Sequence, residues 1–100
     1  MIKHIVMWKI KEFAEGKSKL ENIKLVKEKL ESLTSVIPEI KFLEVGINLN
    51  ESEMAYDAIL YSEFDNLEDL NTYQNHPKHK EVSEYVGKIR TDRAVGDYII

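Results

Sequence analysis

Residues 2–11, IKHIVMWKIK, alternate with a period of two. Ile2, His4, Val6, Trp8 and Ile10 fall on one face of such a strand; Lys3, Ile5, Met7, Lys9 and Lys11 fall on the other. The first face is apolar except for one imidazole. The second carries Ile5 and Met7 between lysines, so its middle must also leave water. A strand with two apolar faces belongs inside a sheet that is covered on both sides. That requirement governs how the rest of the chain is arranged.

After a loop, Ser18 and Glu21 form S-x-x-E, a capping box that satisfies two otherwise free amides. Leu20, Ile23, Val26, Leu30, Leu33 and Ile37 then recur at helical spacing, and Pro38 removes Ile37 from the helical region. The spacing predicts a helix over 18–36. Residues 40–49, IKFLEVGINL, predict a strand, with Gly46 marking a bulge or a close approach. A polar turn follows, then a strand over 55–64 with Tyr56, Ala58, Leu60 and Phe64 on one face. Asp65 as N-cap with Glu68 predicts a short helix bearing Leu67, Leu70 and Tyr73. At His76-Pro77 the chain must break, because a residue before proline avoids the helical region. Proline at the first helical position then starts a new helix, buried through Val82, Tyr85, Val86 and Ile89. Residues 93–100 predict a last strand.

The order is β-α-β-β-α-β with the second helical segment split in two. This is the α+β, ferredoxin-like split βαβ arrangement, a four-stranded antiparallel sheet with its helices on one face. Ile59 and Tyr61 make the other face apolar too. A second copy packed sheet to sheet would cover it, closing a barrel between two protomers. A homodimer is therefore expected.

Composition narrows the function. One hundred residues with 43% hydrophobic content predict a single domain over 1–100. The net charge is −4 with Lys and Glu spread throughout, so neither a nucleic-acid nor a membrane partner is expected. Without cysteine there is no disulfide, thiolate nucleophile or cysteine-based metal site. No apolar run reads as a leader or a span, and a cytoplasmic location is the expectation.

The succession KHIVMWKIKE, IPEIKFLEVGIN, YQNHPKHKEV and a closing VGDY resembles the stress-responsive A/B barrel (Dabb) domain family over nearly the whole chain. The resemblance implies a dimeric α/β barrel of ferredoxin-like protomers. Most members of that family have no assigned activity. A few plant members are polyketide cyclases, which use the tyrosine and second histidine of Y-x-x-H-P-x-H in proton transfer. Those positions are Tyr73 and His79 here, and the strand-one histidine of the same subset matches His4. In the first-helix region this chain offers aliphatics such as Leu30 rather than aromatic groups.

Each candidate residue has a structural and a chemical reading. His79 is third in its helix, near free amides and the positive end of the dipole, which favours a neutral ring. A neutral ring can act as a general base or simply bond backbone. His76 either caps the helix or joins a ligand site. His4, alone among apolar neighbours, needs a hydroxyl or carbonyl partner, or else lines a cavity where a ligand supplies one. Trp8 packs in the core or lines that cavity. His76 and His79 lack the further donors of a transition-metal site, so no metal is expected. No cofactor is required by any motif.

The leading expectation is a homodimer that binds a small apolar molecule inside each protomer. His79 and Tyr73 are the catalytic candidates, with His4, His76 and Trp8 beside the ligand. Any chemistry would be cofactor-free proton transfer at a carbonyl, as in cyclisation or isomerisation. Two rivals stand beside it: a cofactor-free oxygenase of the dimeric barrel type, and a non-enzymatic, stress-related binding or assembly module.

Overall fold

A computed structural model describes residues 1–100. Its elements follow one another as β1 (Ile2–Ile10), β2 (Phe13–Ala14), β3 (Lys17–Ser18), α1 (Lys19–Glu31), a 3-10 turn (Ser32–Ser35), β4 (Phe42–Ile47), β5 (Ala58–Phe64), α2 (Leu67–Asn75), α3 (Pro77–Ile89) and β6 (Arg90–Ile99). The main sheet has the order β4-β5-β1-β6 with every pair antiparallel. This is the expected α+β arrangement, with β1 central.

β1 is buried at every second residue from Ile2 to Ile10, while the residues between them are half-buried. Its inward residues meet Ala58, Leu60, Ser62 and Phe64 of β5, which face the helices. The core between sheet and helices joins Ile23, Val26 and Leu30 of α1 to Leu70 and Tyr73 of α2 and Val82, Val86 and Ile89 of α3. The opposite face of the sheet carries Ile5, Met7, Ile59 and Tyr61, all half-buried, with Phe42 and Tyr98 exposed. No helix of the same chain covers it.

Local chemistry sets the helix starts. The Ser18 hydroxyl accepts from the Glu21 amide at 3.2 Å, and a Glu21 carboxylate oxygen accepts from the Ser18 amide at 3.0 Å. At α3 the predicted break is present: the His76 ring nitrogen Nδ1 accepts from the Lys78 amide at 3.0 Å, and Pro77 takes the first helical position.

Five details differ from expectation. Residues 11–18 contain a small hairpin rather than a plain loop, because Glu15 (φ 52°) and Gly16 (φ 75°) adopt two successive left-handed conformations. The first helix loosens to a 3-10 turn after Glu31, where the Ser32 and Ser35 hydroxyls donate back to the carbonyls of Lys29 and Ser32. Leu20 is exposed, because it lies roughly a third of a turn from the stripe of Asn22, Ile23, Val26 and Leu30. Asn66, not Asp65, caps α2 by accepting from the Asp69 amide at 2.8 Å; Asp65 pairs with Lys41 instead. Gly46 sits in regular register opposite Ile59, and the irregularity of the sheet lies at Lys9/Ile10.

Candidate functional site

β1, β5 and α3 enclose a cavity of about 260 Å³ between the sheet and the helices. Val6, Trp8, Leu30, Leu60, Val82 and Val86 make its apolar wall. Its polar wall comprises His4, Gln74, His79, Ser83, Arg90 and Arg93. The volume is slightly below the roughly 300–1,000 Å³ of drug-sized pockets, so it suits a small metabolite.

His79 reaches the cavity from the first turn of α3. Its Nδ1 lies 3.1 Å from the Gln74 carbonyl oxygen. A carbonyl only accepts, so Nδ1 carries the proton and donates. The lone pair is then on Nε2, the nitrogen free for other partners. Burial is the main reason that the pKa of His79 lies below its ordinary value of 6.5; nearby His4, Arg93 and His76 add to this, and the Gln74 bond opposes it. The ring is neutral, as the helix-start argument predicts, but chiefly because it is partly removed from water.

Tyr73 packs its ring against His79 at 4.4 Å between centroids and is fully buried. It does not form part of the cavity wall but stands behind it, with Phe64 at 5.1 Å and His4 at 6.3 Å. Its hydroxyl has no hydrogen-bond partner. Burial raises its pKa, so the phenol keeps its proton and remains able to donate. Leaving a buried hydroxyl unpaired costs about 1–3 kcal/mol. Tyr73→Phe is therefore expected to stabilise the isolated protein by about 1 kcal/mol or more in urea unfolding. A stability loss of that size would mean the hydroxyl is bonded in solution.

His4 is 2% exposed and finds a partner of a kind the sequence did not suggest. Its Nδ1 lies 2.5 Å from Oδ1 of Asp97, the residue directly opposite it on β6. The carboxylate fixes the ring and holds the proton on Nδ1, leaving Nε2 as the other polar atom of the imidazole. Trp8 lines the same cavity two turns of the pleat away. His76 does not line it; its ring is engaged in capping α3. His79, His4 and Trp8 are thus brought to one cavity, Tyr73 supports it from behind, and His76 stays outside.

Five residues escaped the sequence reading: Asp97, Gln74, Ser83, Arg90 and Arg93. Asp97 belongs to the closing VGDY and has inward parity once β6 is aligned on β1. Gln74 and the arginines carry no local signal. No cluster of three or more His, Asp or Glu side chains is arranged to hold a metal ion. No helix is long and apolar enough to cross a membrane.

Comparison with known proteins places this architecture. No curated protein matches the chain. Among solved structures, a dimeric protein of unknown function and ferredoxin-like fold from Bacteroides fragilis is 36% identical, with 99% of this chain and 95% of that one covered and a TM-score of 0.88. A hydroxynitrile lyase from Passiflora edulis is 20% identical over 99% of this chain and 92% of its own, with a TM-score of 0.82. An antibiotic biosynthesis monooxygenase is 15% identical over 100% and 98%, with a TM-score of 0.72. The last two likenesses establish the fold alone. The family model of the stress responsive A/B barrel domain matches residues 2–100. The chain therefore belongs to the stress-responsive A/B barrel (Dabb) domain family.

Proposed function

We propose that this protein is a homodimeric small-molecule-binding domain that transfers a proton beside a carbonyl without a cofactor, His79 being the base. One observation carries the reading. A half-buried imidazole at the wall of the cavity donates from Nδ1 to the Gln74 carbonyl, so its basic nitrogen is Nε2. A base must be neutral at working pH and within reach of the substrate, and His79 meets the first condition through burial. His4, held by Asp97, offers a second polar group, and the buried Tyr73 steadies the His79 ring. That the fold hosts a lyase in the Passiflora edulis protein agrees with chemistry of this class.

The homodimer rests on the uncovered sheet face. Ile5, Met7, Ile59, Phe42, Tyr61 and Tyr98 form an apolar surface with no partner in the chain, and the Bacteroides fragilis relative is described as dimeric. Sedimentation is expected to give twice the 11.7 kDa protomer mass. A monomer that persists at high concentration would overturn this part.

The chemistry is tested by deuterium exchange into 2-hexanone, followed by NMR. The protein is expected to accelerate exchange, with the rate falling on acidification around a midpoint below 6.5. Stability follows the same sign. Below about pH 6.5 the unfolded chain binds more protons at this position than the folded one, so the contribution of His79 is complete above 6.5 and is lost as pH drops through the lowered value. Absence of acceleration at every pH would leave the non-enzymatic binding module as the better description.

A further inference from the structure

The cavity is opposite in charge to the protein as a whole. The chain has a net charge of −4, yet the cavity wall holds Arg90 and Arg93 and no Asp or Glu. Arg90 is half-buried at the junction of α3 and β6; Arg93 is exposed and stands opposite Trp8 in the register of β1 and β6. Neither guanidinium forms an ion pair, although seven ion pairs form elsewhere in the chain. Acidic residues outnumber basic ones by 18 to 14, so the lack of a partner at both positions is not a shortage of carboxylates. Two like charges converging on one concavity repel each other, and an anion placed between them relieves that repulsion. Guanidinium groups also match the two oxygens of a carboxylate through paired donors.

The electrostatics of proton transfer strengthen the point. Removing a proton from carbon leaves negative charge on an enolate. A carboxylate on the same molecule opposes that charge unless it is neutralised, and arginines at the cavity supply the neutralisation.

We propose that the natural ligand is a small oxo acid whose carboxylate is held by Arg90 and Arg93, whose acidic C–H faces His79 and whose alkyl chain lies against Val6, Trp8 and Val86. This rests on the proton-transfer reading above. In the step itself, Nε2 of His79 takes the C–H proton and becomes imidazolium, the C–H electron pair moves into the enolate, and the imidazolium, after exchanging its proton with water, returns one to the same or another atom of the substrate. No oxidant, reductant or co-reactant is consumed.

The test uses the full chain and three probes at constant ionic strength: 2-oxohexanoate, neutral 2-hexanone and hexyl phosphate. Binding is read from NMR shifts of the Ser83 and Gly87 amides at the cavity rim. The oxo acid is expected to bind at least tenfold more tightly than 2-hexanone. Arg93→Gln and Arg90→Gln are each expected to weaken the oxo acid about tenfold and leave the ketone unchanged, with Arg93→Lys recovering part of the loss. Arg93 is exposed, so its variants are expected to fold; Arg90→Gln is read alongside its melting curve. Equal binding of acid and ketone, or acid binding indifferent to both arginines, would overturn the assignment. Tighter binding of hexyl phosphate than of the oxo acid would overturn the carboxylate in favour of a phosphate ester. Deuterium exchange is scored separately. If the arginines do not matter but exchange of the ketone persists, the oxo-acid assignment fails and the base survives. If the acid binds through the arginines and nothing exchanges, the base fails and the anion site stands.

Discussion

His79→Ala is expected to slow protein-catalysed deuterium exchange by about 10²–10⁴-fold while the protein stays folded. The rate effect comes from removing the only group at the cavity that combines a neutral, half-buried ring with a lone pair left free by its own backbone hydrogen bond. The stability effect is smaller. The substitution removes one hydrogen bond of 3.1 Å to Gln74, worth about 0.5–1.5 kcal/mol, and a ring contact with Tyr73. Against a total margin of about 5–15 kcal/mol for a small domain, the chain remains native. Far-ultraviolet circular dichroism and urea unfolding check the fold; NMR of 2-hexanone in heavy water checks the rate. Exchange that proceeds undiminished in a folded His79→Ala protein would remove His79 from the chemistry and leave it a structural ring.

Phe64→Ala is expected to cost about 3–5 kcal/mol, the largest stability loss of any single change argued for this chain. Phe64 is completely buried at the last position of β5, opposite Ile2 of β1. Its ring meets Tyr73 at 5.1 Å and His4 at 6.5 Å between centroids. Alanine would leave a void beneath both polar rings, and a packed interior relaxes only partly into such a space. With a slope of about 1–3 kcal/mol per molar urea, the unfolding midpoint should fall by more than about 1 M. A shift of only a few tenths would show that α2 collapses into the gap, and Phe64 would then not be a rigid support for Tyr73 and His4. The same variant should also loosen Tyr73, so its His79 ring resonances should broaden even where the protein is still native.

How much of this was written in the sequence depends on how far apart the cooperating residues lie. The alternation of β1, the Ser18–Glu21 capping box and the break at His76-Pro77 are determined within a few residues, and each is present. The cap of α2 shows the limit of local reading. Asp65 and Asn66 both suit an N-cap; Asn66 takes the cap, and Asp65 pairs with Lys41. Gly46 suggested irregularity, yet a glycine with open space beside its Cβ position sits without strain in a straight strand. The partner of His4 was hidden for a different reason. Asp97 is 93 residues away, and only the register of β6 on β1 sets the two side by side. The same holds for the arginines. Their positions near the α3–β6 junction say nothing of the cavity until β6 is laid against Trp8.

The placement of β1 between β5 and β6 has a consequence for how the molecule assembles. β1 leaves the ribosome before both of the strands that must pair with it. It can pair with β5 once some sixty residues have been made, but its other flank waits for β6. Pairings of such long sequence separation are slow to form because the intervening chain must be ordered first. During synthesis, three of the four strands are therefore made before the carboxylate that holds the buried imidazole of His4.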